Sequence, residues 1–110
     1  MKNKMTIEEL EQMKRRTVSF LGEECSVQLG EYSNGRTSIT LVCQDGEPMA
    51  TATVNLPDVL LNPDEVCIKD YSENKGILAA LQQAGIVSDV HETLTTGFTC
   101  VHVCFLLVKE

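Results

Sequence analysis

The sequence predicts an α+β fold: an antiparallel β-sheet of about five strands that begins as a meander, with one helix packed on a face and a short helix ahead of it. Three observations predict it. Apolar and polar residues alternate with period two through Cys25–Leu29, Ile39–Cys43 and Ala50–Val54. Two turn signatures, Tyr32-Ser-Asn-Gly-Arg36 and Gln44-Asp-Gly-Glu47, separate those stretches. A single helical pattern near 75–84 ends at Gly85, and a strongly apolar run, Thr99–Val108, closes the chain. Strands followed by a helix and further strands fit an antiparallel sheet with a helix on one side better than alternating parallel units.

The elements follow in order. Thr6-Ile-Glu-Glu9 is a capping box, with Met5 and Leu10 at the staple positions. It predicts a helix within 6–16 whose apolar stripe, Ile7, Leu10 and Met13, is narrow, so this helix is expected to attach loosely. The first hairpin is expected to carry a three-residue loop with Gly35 left-handed, and the second a two-residue Asp-Gly turn. If Tyr32 pairs with Arg36, Leu29 faces Ile39, Val27 faces Leu41 and Cys25 faces Cys43. If Gln44 pairs with Glu47, Leu41 faces Ala50 and Ile39 faces Ala52. Both turns place apolar residues on one face, and a one-residue slip in either destroys that agreement. Two prolines interrupt the connection 56–64, and Glu65–Lys69 reads as a short fourth strand. A helix from about Lys75 to Ala84 follows, capped by Asn74 or Ser72, with Ile77, Leu78 and Leu81 buried and Ile86 packing back on Leu81 past Gly85. Val87–Gly97 has room for one more short strand. The last strand is apolar on both faces and belongs in a sheet interior.

Composition bounds the class. A chain of 110 residues, 43% hydrophobic and 23% charged, is expected to be one domain over 1–110. With five aromatics and no Trp, its core must rest on Val, Leu, Ile, Ala and Cys. No apolar run approaches the ~20 residues of a membrane span. The basic N-terminal residues precede no apolar segment of a secretion signal. Five cysteines, an odd number, argue for reduced thiols in a cytoplasm and against a disulfide framework. The net charge is −7, and from Thr17 onward only four basic residues face thirteen acidic ones. An acidic body repels phosphate, so direct nucleic-acid binding is disfavoured and a basic surface on another protein is the complementary partner.

Zinc is the sharpest chemical possibility. Cys100-x-His102-x-Cys104 lies on the final strand, where residues two apart share a face at about 6–7 Å and residues four apart, about 13 Å, are too far to share a metal. His102 with one flanking cysteine, Cys104, could join the expected Cys25–Cys43 pair in one structural zinc site. The competing reading, no cofactor, treats these cysteines as small buried hydrophobes. Nucleophilic catalysis has less behind it. His102 and Cys104 would stand side by side with no third group to orient a base. The glycines Gly76 and Gly85 edge a helix and form no phosphate loop. The chain is therefore expected not to be an enzyme.

At DGEPMATATVNLP, DEVCIKDYSEN and GILAALQQAGI, within Glu31 to Ile86, the chain resembles a family of small acidic α+β proteins carried by bacterial phages and mobile elements. Those phrases are turns, strand edges and helix caps. The resemblance implies a bacterial host cytoplasm and, by analogy with small acidic proteins of such elements, an anti-defence role of the anti-CRISPR kind. The function expected is non-catalytic inhibition of a host CRISPR or restriction nuclease, as monomer or homodimer, through an acidic surface. Its partner-binding residues would be Asp45, Glu47, Asp64, Glu65, Asp70 and Glu73, with Tyr32 and Tyr71 as nearby aromatic contacts. A zinc-stabilised module of unrelated role, or an enzyme with a site assembled from scattered residues, are the alternatives.

Overall fold

Three tight reversals build the first sheet. The computed structural model describes residues 17–97 and 99–108; the helix expected at 6–16 lies outside the described residues. Strands β1 (Thr17–Phe20), β2 (Glu23–Glu31), β3 (Thr37–Val42) and β4 (Pro48–Thr51) follow one another as an antiparallel meander in the order β1-β2-β3-β4. Between β1 and β2 only Leu21 and Gly22 intervene, both left-handed (φ 54° and 78°), which is the backbone of a type I′ turn. Sequence reasoning missed β1, because its four residues, TVSF, are too short for a clear alternation.

The β2–β3 hairpin matches expectation. The Tyr32 amide donates to the Arg36 carbonyl at 2.7 Å and Gly35 sits at φ 88°. Leu29 pairs with Ile39 and Val27 with Leu41. The second hairpin reaches the expected register by another route. Its loop has three residues, not two, since the Cys43 amide donates to the Glu47 carbonyl and Gly46 takes the left-handed position at φ 89°. A β-bulge between Leu41 and Val42 then absorbs the extra residue, Met49, and restores the Leu41–Ala50 pair. The restoring force is burial. Ile39 and Leu41 are both 0% exposed, and turning either to solvent costs roughly 1.5–3 kcal/mol.

Strands β5 (Glu65–Ile68), β6 (Glu92–Thr96) and β7 (Thr99–Phe105) form a second antiparallel sheet in the order β5-β7-β6. The apolar-on-both-faces strand β7 is its centre, as its composition requires. Val66, Ile68 and Cys104 face a core shared with the first sheet, whereas Cys67, Val101 and Val103 face a smaller cluster roofed by Val54, Leu56, Leu61 and Tyr71. The described architecture is mainly antiparallel β with one helix, α+β in outline. The single sheet of about five strands expected from sequence is corrected to seven strands in two sheets among the described residues.

The reason for the division lies at 52–54. Past Thr51 the chain leaves β3 gradually: the Ala52 amide still donates to the Ile39 carbonyl at 2.8 Å, while the Ala52 carbonyl accepts from Lys69 at 2.8 Å. Thr53 bridges Ile68, and the Val54 amide donates to the Cys67 carbonyl. One short segment thus stitches the two sheets. The Ile39 amide, deserted by a strand partner, donates to the Thr53 hydroxyl at 3.1 Å, which also bonds the Tyr32 hydroxyl at 3.0 Å. Asn74, only 1% exposed, donates from one side-chain nitrogen to the carbonyls of Thr51 and Lys69 at 2.8 and 3.1 Å.

Asn74 is therefore committed to the junction and does not cap the helix, nor does Ser72. Ser72–Asn74 forms a single 3₁₀ turn, and helix α1 (Ile77–Gln83) begins after Gly76, left-handed at φ 95°. Asp70 caps from a distance: its Oδ1 accepts from the Gly76 and Leu78 amides at 2.9 and 3.0 Å. The exit is the expected one. With Gly85 at φ 75°, Ile86 donates to the Leu81 carbonyl and Gly85 to that of Gln82, the paired bonds of a Schellman ending.

Candidate functional site

The sheet's tight turns gather carboxylates at one end of the first sheet. Glu23 and Glu24 open β2 directly after the Leu21–Gly22 turn, and the Cys43–Glu47 turn brings Asp45 and Glu47 to the same end. Gln44 ties the two turns together by donating to Glu24 Oε1 at 3.2 Å. Asp45 Oδ1 accepts from the Glu47 amide at 3.0 Å, an Asx turn that stiffens the loop. The negative field is felt by the thiols beside it. Burial pushes the Cys43 thiol above its usual 9.0, the charges of Glu23, Cys25 and Asp45 add to this, and a hydrogen bond to the Glu23 carboxylate holds the proton further. Burial likewise raises Cys25, with Glu23 adding and the Cys43 side chain offsetting part. Glu23 and Glu24 escaped sequence reasoning because β1 did. The signal present was Leu21-Gly22 between two apolar-flanked stretches.

The other predicted partner-binding acids are spread elsewhere. Asp64 and Glu65 lie at the start of β5. Glu65 is engaged twice: Oε1 accepts from the Asn62 amide at 2.7 Å and Oε2 meets His91 Nε2 at 2.6 Å. The Asn62 amide first, and His91 second, hold its carboxyl below the usual carboxylate range. The His91 ring also stacks on Phe105 with centroids 4.3 Å apart. Asp70 caps α1, and Glu73 pairs with Lys69 at 3.4 Å. Of the aromatic candidates, Tyr32 is bonded to Thr53 and Tyr71 packs in the smaller core with Lys69 Nζ 5.8 Å from its ring centre. Arg36 donates to the carbonyls of Leu56 and Val59, pinning the loop whose tip, Leu60, is 96% exposed.

The four zinc candidates divide between the sheets. Cys25 and Cys43 lie at the acidic end of the first, and His102 and Cys104 on β7 of the second. Among the described residues no group of three or more His, Cys, Asp or Glu side chains is placed to hold a metal ion. Cys104 is 0% exposed, and burial, followed by the charges of Asp89 and Cys67, pushes its thiol up to about 11. The two imidazoles hydrogen-bond to Glu65 and to the Thr93 hydroxyl, not to a thiol. A depression of about 320 Å³ between β1 and α1 is lined by Thr17, Ser19, Glu24, Ala80, Gln83 and Ala84, a set without an imidazole or thiol. No helix among the described residues is long and apolar enough to cross a membrane. No protein-family model, curated protein or solved structure matches this chain.

Proposed function

We propose that this protein is a non-catalytic binding module that docks the acidic end of its first sheet on a basic surface of a larger protein. The observation that carries this reading is the convergence of Glu23, Glu24, Asp45 and Glu47 on two turns bridged by Gln44. Two of the described cations are drawn away from that end, Arg36 into the loop carbonyls and Lys69 onto Glu73. An anionic sheet end of this kind accelerates encounter with a cationic groove and sets its orientation. The partner class that fits is a nucleic-acid-handling protein, concretely a host-defence nuclease whose groove for a polyanion would accept a protein carboxylate cluster in its place. Asp70, Glu65 and Glu73 act within the fold on this reading, and the contact centres on the other carboxylates.

The test is affinity capture from bacterial lysate with the tagged chain, at about 50 and 300 mM salt, beside a variant with Glu23, Glu24, Asp45 and Glu47 all changed to Lys. A basic protein held by the wild type at low salt, weakened at high salt and absent from the variant is the expected result. Equal retention by the charge-reversed variant would sink the proposal.

A further inference from the structure

We propose that Cys25, Cys43 and Met49 form a binding site for one soft monovalent cation of the copper(I) class. The three side chains come from three neighbouring stretches of the first sheet, at the end where β2 begins and the β3–β4 turn lies. The β2–β3 register runs to Ser26–Val42, and one further step sets Cys25 opposite Cys43. The hydrogen bonds of Cys43 point the other way, its amide to Glu47 and its carbonyl to Gly46. Cys25–Cys43 is thus a non-hydrogen-bonded cross-strand pair, the close kind, with Cα atoms about 4.5 Å apart and side chains on one face. The bulge at Leu41/Val42 supplies the third sulfur. By inserting Met49 as the extra residue it brings the thioether Sδ to 3.3 Å from Cys25 Sγ.

The donor set decides the metal. Two cysteines, bound as thiolates once their protons have passed to solvent, and a thioether are soft ligands, and such sets select copper(I). Zinc prefers four thiolate, imidazole or carboxylate ligands in a tetrahedron, and the further ligands expected for it, His102 and Cys104, belong to the other sheet. A low coordination number suits a site made by three strands of one flat face. Strand pairing holds the sulfurs in place before any ion arrives, which lowers the cost of ordering them. Access is from the turn side: Cys25 is 1% exposed, but Cys43 and Met49 are half-buried. Glu23, two residues before Cys25 at the start of β2, adds a negative charge at this end of the sheet that favours a cation.

The experiment titrates the reduced full-length chain, without oxygen, with copper(I) alone against a chromophoric copper(I) chelator, and in parallel with zinc(II) alone. One copper(I) per chain is expected to resist the chelator and to give thiolate-to-copper absorption in the near ultraviolet. Cys43→Ser should abolish this tight binding, and Met49→Leu should weaken it at least about 10-fold, since losing a ligand costs no less than the ~10–100-fold that follows loss of a group merely supporting one. Both positions are half-buried, so the metal-free variants should keep the wild-type circular dichroism and melting curve. Cys100→Ser, at an exposed cysteine on the other sheet, should change nothing. Wild-type affinity in Cys43→Ser or Met49→Leu would overturn the proposal, as would tighter binding of zinc(II) than of copper(I).

Discussion

Replacing Asp70 by alanine should destabilise the fold by about 2 kcal/mol, although its side chain lies near the surface in a part of the chain that reads as a recognition loop. One carboxylate oxygen receives both the Gly76 and the Leu78 amides, at 2.9 and 3.0 Å. Loss of a comparable helix cap costs about 1 kcal/mol. Removal of a negative charge from the start of a helix adds about 0.3–1 kcal/mol. The second orphaned amide brings the sum to roughly 2 kcal/mol. Helix α1 has only seven residues, too few to persist without such support. For a domain of 110 residues the loss corresponds to a drop of about 8 °C in melting midpoint. Asp70→Asn keeps an acceptor oxygen and loses the charge, so it should fall between the two. Asp64→Ala, at an exposed acid beside β5, should stay within about 0.5 kcal/mol of wild type. Urea and thermal unfolding of the three variants measure this directly. An Asp70→Ala protein as stable as Asp64→Ala would refute the capping argument and return Asp70 to the set of surface contacts.

Two further outcomes follow from the junction and the core. Thr53→Val removes the hydroxyl that receives the buried Ile39 amide and should cost about 1–3 kcal/mol in urea unfolding, whereas Thr51→Val, at an exposed β-strand position, should be nearly neutral. Cys104 makes stability fall in alkali. Its thiol is raised in the folded state to about 11 from 9.0, so its contribution is complete below pH 9 and is lost as pH rises from 9 towards 11. At ~1.36 kcal/mol per unit the full swing is about 3 kcal/mol. The stability difference between wild type and Cys104→Ala should narrow across that range, and a constant difference would refute it.

Much of the local structure was legible because it rests on short-range rules. Gly35, Gly46 and Gly85 mark left-handed positions that few other residues occupy, and all three do so here. The alternation in 25–43 determined which residues share a face, and pairing of Leu29 with Ile39 and Val27 with Leu41 followed from it. The second turn is instructive because its predicted length was wrong and its register right. Burial of Leu41 opposite Ala50 is the stronger constraint, so the chain inserts a bulge to satisfy it, and Met49 is the residue displaced.

The candidate site was less legible because it depends on which turns meet. Glu24 and Gln44 are twenty residues apart, and nothing local announces that Gln44 will reach across. The uses of Asp70, Glu65 and Asn74 were equally hidden. Each is an ordinary polar residue whose role is set by backbone groups, or by His91, arriving from elsewhere in the fold. The expected joining of His102 and Cys104 with Cys25 and Cys43 required one continuous sheet with the last strand beside the meander. Residues 52–54 instead hand the chain from one sheet to the next. The left-handed glycine positions, the facing of the first three strands and the helix exit were determined by the sequence itself, through backbone sterics and side-chain periodicity. The division into two sheets, the cap from Asp70 and the approach of Met49 to Cys25 were decided only by tertiary structure. They arise where buried backbone groups and apolar faces from distant segments must be satisfied at once.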